Sequence, residues 1–247
     1  MRASAQAKPH WFPRADAHVL RLFPATTPIV FDPHVLRAAA RAGFLDCLEA
    51  NLPGRIRISP TAERLIRSWL FSWPENPAHN AVNRPASPSA GYLADQHLAQ
   101  KATSFLVEEY WCAPDRCGDN PSRQKKGKVD GYVKALAGQW DVLRCPDLVR
   151  EAVVESLVMA IANSWLFVSH FDYVLDHTHQ QPMPFGIHHL LGCLAREEKI
   201  DEAQAWQWHL DAIATGYIRR FRPGPALLPA DRQDFADFVA RAPNVTF

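Results

Sequence analysis

The chain has 247 residues, 47% of them hydrophobic, and its 27 Lys and Arg balance 26 Asp and Glu. A chain of this length buries a core without disulfide or metal staples, and the near-neutral balance excludes attraction of nucleic acid by bulk charge, so any basic surface must be local. The N-terminal MRASAQAKPHWFPRADAH lacks the apolar core of a signal peptide and no run of about 18 apolar residues follows, so neither export nor a membrane span is expected. Five cysteines, odd in number and widely scattered, argue against a disulfide framework and point to a reducing cytoplasm.

Residues 1–24 read as a Pro-interrupted lead-in with one short strand at 17–23. Pro28-Ile29-Val30-Phe31 is an apolar run of strand formers closed by Asp32-Pro33. Val35, Leu36, Ala39 and Ala40 then recur at helical spacing, and Gly43 marks a helix stop. A short helix is expected over 44–52. Arg55-Ile56-Arg57-Ile58 alternates as a strand does, and Ser59-Pro60-Thr61 caps a helix over 62–71. Residues 74–91 form a Pro- and Ser-rich loop, 92–111 a helix, 112–128 an irregular basic stretch and 129–143 another helix. The whole of 74–144 reads as an inserted helical segment.

A second strand–helix signal begins at Pro146. A helix over 147–162 carries Val149, Val153, Leu157 and Ile161 on one face. Leu166 to Ser169 is a strand, with Asp172 just past its end. A short helix at 173–177, a turn or edge strand at 182–185, and helices at 187–197 and 201–218 follow. From residue 219 to 247 the tail is Pro-rich, with one further helix at 231–240.

Asp32 and Asp172 therefore share one situation, each standing past the carboxyl end of a short apolar strand. In open parallel sheets, sites form outside those ends, where the strand order reverses. If the two strands are neighbours, the carboxylates converge. Two converging carboxylates repel each other, and a hard divalent cation such as Mg²⁺ or Mn²⁺ makes ligands of both.

Residues 28–65, PIVFDPHVLRAAARAGFLDCLEANLPGRIRISPTAERL, resemble the opening of a PIN-domain nuclease: a strand ending in Asp, a helix rich in small residues, Gly43-x-Leu45-x-x-Leu48, a strand and a Pro-led helix. Residues 151–210 are similar to that family's closing half, with an acidic helix entering a strand that ends near Asp, then Gly186-Ile187-His188-His189-Leu190-Leu191, then the polar turn Ile200-Asp201-Glu202-Ala203. The resemblance implies a single PIN-like domain over 1–247, a three-layer α/β sandwich with a central, mostly parallel sheet flanked by helices. It implies a cytoplasmic, Mg²⁺- or Mn²⁺-dependent endoribonuclease of the toxin–antitoxin or RNA-processing type. Asp32 takes the place of the first acid, Glu63 the second, Glu155 the third with Glu151 one turn before it, and Asp172 the fourth with Asp176 as its alternate. Asp32, Glu155, Asp172 and Asp176 are the implied metal ligands. His34 stands where the family has a small polar residue. Single-stranded RNA is the implied substrate, with Arg55, Arg57, Arg123, Lys125, Lys126 and Lys128 as candidate contacts. A protein antitoxin, another protein partner or a second copy of the chain are the other partners implied.

Plainer readings stand beside these. Asp32 before Pro33 is equally a helix cap, Glu151 and Glu155 are equally a solvated helix face, and Glu63 a surface residue. The stretch His170 to His179 invites a metal reading in which Asp172, Asp176 and His179 or His177 bind Zn²⁺ or Fe²⁺ from one loop, with His188 and His189 close by. Cys112, Cys117 and Cys145 are read as free thiols or as an incomplete zinc knuckle, and Trp206 and Trp208 as packing residues. A catalytically silent PIN-like module that binds RNA or a protein is the alternative to the nuclease.

Overall fold

A computed structural model of the chain describes residues 26–76, 87–107, 147–163, 165–169, 184–216 and 229–241. In chain order the elements are β1 (Ile29–Phe31), α1 (Pro33–Arg41), α2 (Leu45–Asn51), β2 (Ile56–Arg57), α3 (Pro60–Phe71), α4 (Ala90–Phe105), α5 (Asp147–Asn163), β3 (Leu166–Val168), β4 (Pro184–Phe185), α6 (Ile187–Arg196), α7 (Glu202–Ala214) and α8 (Pro229–Arg241). The architecture is mixed α/β. Four strands lie in the order β2-β1-β3-β4, and every neighbouring pair is parallel. The strand expected at 17–23 and the helices expected at 129–143 and 173–177 fall outside the described residues.

Parallel pairing of such short strands works because helices cover both faces. Alternate side chains go to opposite sides. Ile29, Phe31, Leu166 and Val168 join the larger core with Val35 and Leu36 of α1 and Leu190, Leu191 and Leu194 of α6. Val30 and Phe167 enter a second cluster with Val153, Val154, Leu157 and Val158 of α5. The register Ile29↔Leu166, Val30↔Phe167, Phe31↔Val168 puts like faces side by side.

Local signals set the helix ends. Asp32 caps α1 by accepting from the His34 backbone N–H at 2.9 Å, with Pro33 in the first turn, where its missing N–H costs nothing. Gly43, at φ +79°, ends α1. The Phe44 N–H returns to the Ala39 carbonyl (2.9 Å) and the Gly43 N–H to that of Ala40 (3.2 Å), the paired bonds of a left-handed helix stop. Ser59 caps α3 and Asp201 caps α7.

Helix α4 lies within the stretch read as an insertion, yet it is part of the common core. Leu98, Ala99, Ala102 and Phe105 are buried there, and α4 packs on α1 and α3. Ile58 donates to the Phe105 carbonyl (3.0 Å) and accepts from the Val107 N–H (3.2 Å), so a single parallel bridge carries the sheet one step past β2. The α1–α4 contact centres on Asp95. This fully buried carboxylate accepts from Arg37 Nη2 at 2.6 Å, Arg41 Nη2 at 2.7 Å and Trp73 Nε1 at 2.8 Å. Arg37 also stacks on Trp69 and Arg41 on Trp73. Helix α8, in the Pro-rich tail, docks on α6 and α7 and buries Phe235 completely.

Candidate functional site

Three strand ends meet along the carboxyl edge of the sheet. Asp32 follows β1, Ser59 follows β2 and its bridge residue Ile58, and Ser169 follows β3. Because Phe31 pairs with Val168, residues 32 and 169 face each other at the next step. The Asp32 N–H donates to the Val168 carbonyl (2.8 Å), and the Ser169 hydroxyl donates to Asp32 Oδ2 at 2.9 Å. Asp32 and Ser169 are both fully buried. The N-terminus of α1, with its partial positive charge, further favours a carboxylate at Asp32.

His34 closes the other side of that carboxylate. Its Nδ1 lies 3.3 Å from Asp32 Oδ1, and its ring meets Trp69 edge-on with centroids 5.4 Å apart. Asp32 is thus a helix cap, as the plainer reading has it, and also a buried carboxylate at a sheet edge.

Glu155 reaches the same edge from α5. Its Oε2 accepts the Thr61 backbone N–H at 2.8 Å, in the first turn of α3. Beside it the Ser59 and Ser156 hydroxyls lie 3.2 Å apart in a fully buried contact, and Ser59 Oγ accepts from the Ala62 N–H. Glu155 is therefore not a solvated-face residue: it neutralises an otherwise orphaned donor at a helix N-terminus.

Glu63 is placed differently. It forms an ion pair with Arg67, one turn further along α3, and Arg67 reaches on to the Thr103 hydroxyl. Arg55 is buried at the opposite, amino edge of the sheet, where its Nε donates to the Thr27 carbonyl at 2.8 Å. Burial pulls its guanidinium below the ordinary value. Arg55, a candidate RNA contact, thus stands buried at the edge away from Asp32. Arg57 is half-buried on β2, donates to the Ile56 carbonyl, and is also lowered by burial. Asp172, Asp176, Arg123, Lys125, Lys126, Lys128, His170, His177, His179, Cys112, Cys117 and Cys145 lie outside the described residues.

His188 and His189 are buried in α6 rather than presented to a ligand from the surface. His189 Nδ1 accepts the Gly186 N–H at 3.0 Å, serving the N-terminus of its own helix. The His188 ring lies tilted against His189, with centroids 4.0 Å apart, and 5.5 Å from His209 of α7. Burial drives the His189 imidazole down to about 3, with the neighbouring His209 adding to it, and burial takes His209 down to about 4. Trp208 stacks on Phe44, and Trp206 packs on His209 and Phe235, as packing residues do.

Among the described residues no three His, Cys, Asp or Glu side chains gather closely enough to hold a metal ion by themselves. At the sheet edge the Asp32 carboxylate oxygen and the His34 ring nitrogen stand in hydrogen-bond contact, 3.3 Å apart. No described helix is long and apolar enough to cross a membrane. Comparison with protein-family models, curated proteins and solved structures finds no match to this chain.

Sequence reading missed Ser169, Ser59 and Ser156 as parts of this edge. The signal for Ser169 was available once β1 and β3 are taken as neighbours: it follows its strand as Asp32 follows β1.

Proposed function

We propose that the chain is a metal-dependent endoribonuclease of PIN-like architecture, with its site at the carboxyl edge of the sheet around Asp32. The observation that carries this reading is the parallel β1–β3 pair, which sets the buried Asp32 beside the end of β3, the strand that Asp172 follows in the sequence. Glu155, at the same edge, adds a second carboxylate. Mg²⁺ or Mn²⁺ held there would supply charge neutralisation at the scissile phosphate and an acidified water. The residues of the chain orient that chemistry. Ser169 fixes the rotation of the Asp32 carboxylate, and Thr61 fixes that of Glu155. Single-stranded RNA, held by Arg57 and the basic residues 123–128, is the proposed substrate.

The test is cleavage of single-stranded RNA with Mg²⁺ or Mn²⁺ by the native chain, Asp32→Asn and Asp172→Asn. Asparagine at 32 keeps an acceptor for the His34 N–H, so the helix cap is retained while the carboxylate is lost. Cutting is expected to disappear in both variants, and undiminished cutting in both would sink the proposal.

A second reading, a silent module that binds RNA or a protein partner, draws on two contacts. Glu63 is engaged by Arg67, and Asp32 serves as a cap with the His34 ring against it. Retention of labelled RNA without any cleavage, unaffected by Asp32→Asn, is the outcome that favours it.

A further inference from the structure

Arg64 stands in the second turn of α3. Long side chains on a helix lean toward its N-terminus, and Arg64 follows that rule: its Nη2 donates to the Thr61 hydroxyl at 2.9 Å. The guanidinium is thereby folded back onto the first turn of α3, at the carboxyl edge of the sheet. Glu155 Oε2 takes the backbone N–H of the same threonine. Thr61 thus joins a carboxylate on one side to a guanidinium on the other.

The other arginines of this region are neutralised. Arg37 and Arg41 share Asp95, Arg67 holds Glu63, and Arg150 holds Asp147. Arg64 is exposed, and among the described residues its polar contact is the Thr61 hydroxyl, with no carboxylate in ion-pair reach. A hydroxyl engages one of the several N–H donors of a guanidinium and none of its charge. The place is also a poor one for a cation. The first turn of a helix carries partial positive charge, which favours anions there and opposes an arginine. Folding alone therefore gives no reason to hold this guanidinium at the edge, whereas an anion arriving there would be met by it. A phosphodiester offers two oxygens that match the planar fork of an arginine.

We infer that Arg64 binds a backbone phosphate of the single-stranded RNA, so that the strand runs past the first turn of α3 beside Glu155. This rests on the proposed nuclease reading and adds to it a substrate contact and the path of the strand. Arg64 takes at this edge the part that Arg55, buried at the opposite one, is not placed to take.

The test is binding of a labelled single-stranded oligouridine to the full chain, followed by fluorescence anisotropy over a range of salt concentrations. EDTA is present, so that metal-dependent cutting does not interfere. Arg64→Gln is expected to bind about tenfold more weakly at low salt, the worth of one charged hydrogen bond. It is also expected to flatten the slope of log affinity against log salt by about 0.7, the share of one phosphate on a single strand. Arg64→Lys keeps the slope. Arg67→Gln, on the same helix but removing a charge already paired with Glu63, keeps both affinity and slope near native. The melting temperature of Arg64→Gln is expected to equal or exceed that of the native chain, because a cation leaves a helix N-terminus.

Native affinity and slope in Arg64→Gln overturn the inference, as does an equal loss in Arg67→Gln, which would report general charge alone. A melting temperature well below native overturns it too, by making Arg64 structural. If Arg64→Gln binds as the native chain does while Asp32→Asn abolishes Mn²⁺-dependent cleavage, the phosphate contact falls and the nuclease stands. If the slope flattens in a chain that never cleaves, the nuclease falls and the contact stands. A native chain that does not bind the oligouridine even at low salt overturns the contact.

Discussion

The Ser169 hydroxyl donates to Asp32 Oδ2 across the β1–β3 pair, joining two fully buried side chains that are 137 residues apart in the chain. This bond fixes the rotation of the carboxylate and ties the ends of two neighbouring strands together. Ser169→Ala removes a buried hydrogen bond to an acidic group, which costs about 1.5–3 kcal/mol. Urea unfolding is expected to show that loss as a lower midpoint with an unchanged slope. A midpoint equal to the native one would remove Ser169 from the account.

Glu155 serves as an acceptor for the Thr61 N–H, and substitution separates that duty from metal binding. Glu155→Gln keeps an acceptor and loses only its charge against the helix N-terminus, a cost of about 0.3–1 kcal/mol. Glu155→Ala loses the acceptor as well and costs about 1–2 kcal/mol. If Glu155 is also a ligand, Glu155→Gln weakens Mn²⁺ binding while the melting temperature stays near native. Unaltered Mn²⁺ affinity in that variant leaves Glu155 as a cap alone.

Asp95 is the counter-charge for two arginines. Burial pushes its carboxyl up, but the hydrogen bonds from Arg37, Arg41 and Trp73, with the charge of Arg37, outweigh this and hold it below the usual value of 3.8. A carboxyl lowered in the folded state adds stability that is fully present above 3.8 and is lost as pH falls through the folded value. Asp95→Ala removes the buried counter-charge that Arg37 and Arg41 share and is expected to cost about 3–5 kcal/mol. Thermal unfolding at pH 7 measures the loss, and a drop below about 1 kcal/mol would mean the arginines find other partners.

The buried histidines set a different acid limit. His189 at about 3 and His209 at about 4 stay neutral when folded, while their unfolded counterparts protonate near 6.5. The unfolded chain therefore binds more protons, and stability falls as pH drops from 6.5 toward 4. Each histidine contributes at most about 1.4 kcal/mol per pH unit in that window. His209→Gln is expected to flatten the fall in melting temperature between pH 6.5 and 4. An equally steep fall in that variant would exclude His209 as a source.

How far the sequence foretold this arrangement depends on how local each determinant is. The Pro28–Phe31 run, the Asp32-Pro33 start of α1, the Gly43 stop and the Ser59-Pro60 start of α3 rest on neighbours in the chain, and all appear in the structure. The helix expected at 92–111 spans Ala90–Phe105, shortened because Leu106 leaves to bridge Ile58. The strand expected from Arg55 to Ile58 reduces to Ile56–Arg57, with the Arg55 carbonyl still accepting from the Ile29 N–H and Ile58 bridging Leu106. What depended on distant contacts was not legible. Nothing around Asp95 announces that two arginines from another helix will surround it. The burial of His188 and His189 against α7 is a tertiary property that their neighbours in the chain do not announce. Glu63 was the nearest residue to the second acid that the resemblance implies, about one turn early, and Arg67 four residues on holds it, a pairing the helical period itself allows. The acidic edge was legible at Asp32 and Glu155 as residue types, and the partners that orient them were not.

The central strand of the sheet has consequences for how the protein is made. β1 finds β2 within a short stretch of chain, but its other neighbour, β3, begins only at Leu166. During synthesis the first hundred residues leave the ribosome with one edge of β1 bare, three apolar residues long. Chains interrupted before residue 166 would carry that open edge as a ready template for pairing with one another. Ribosome-bound fragments of increasing length should therefore resist proteolysis only after β3 has emerged, and Asp32 acquires its buried setting at that same moment.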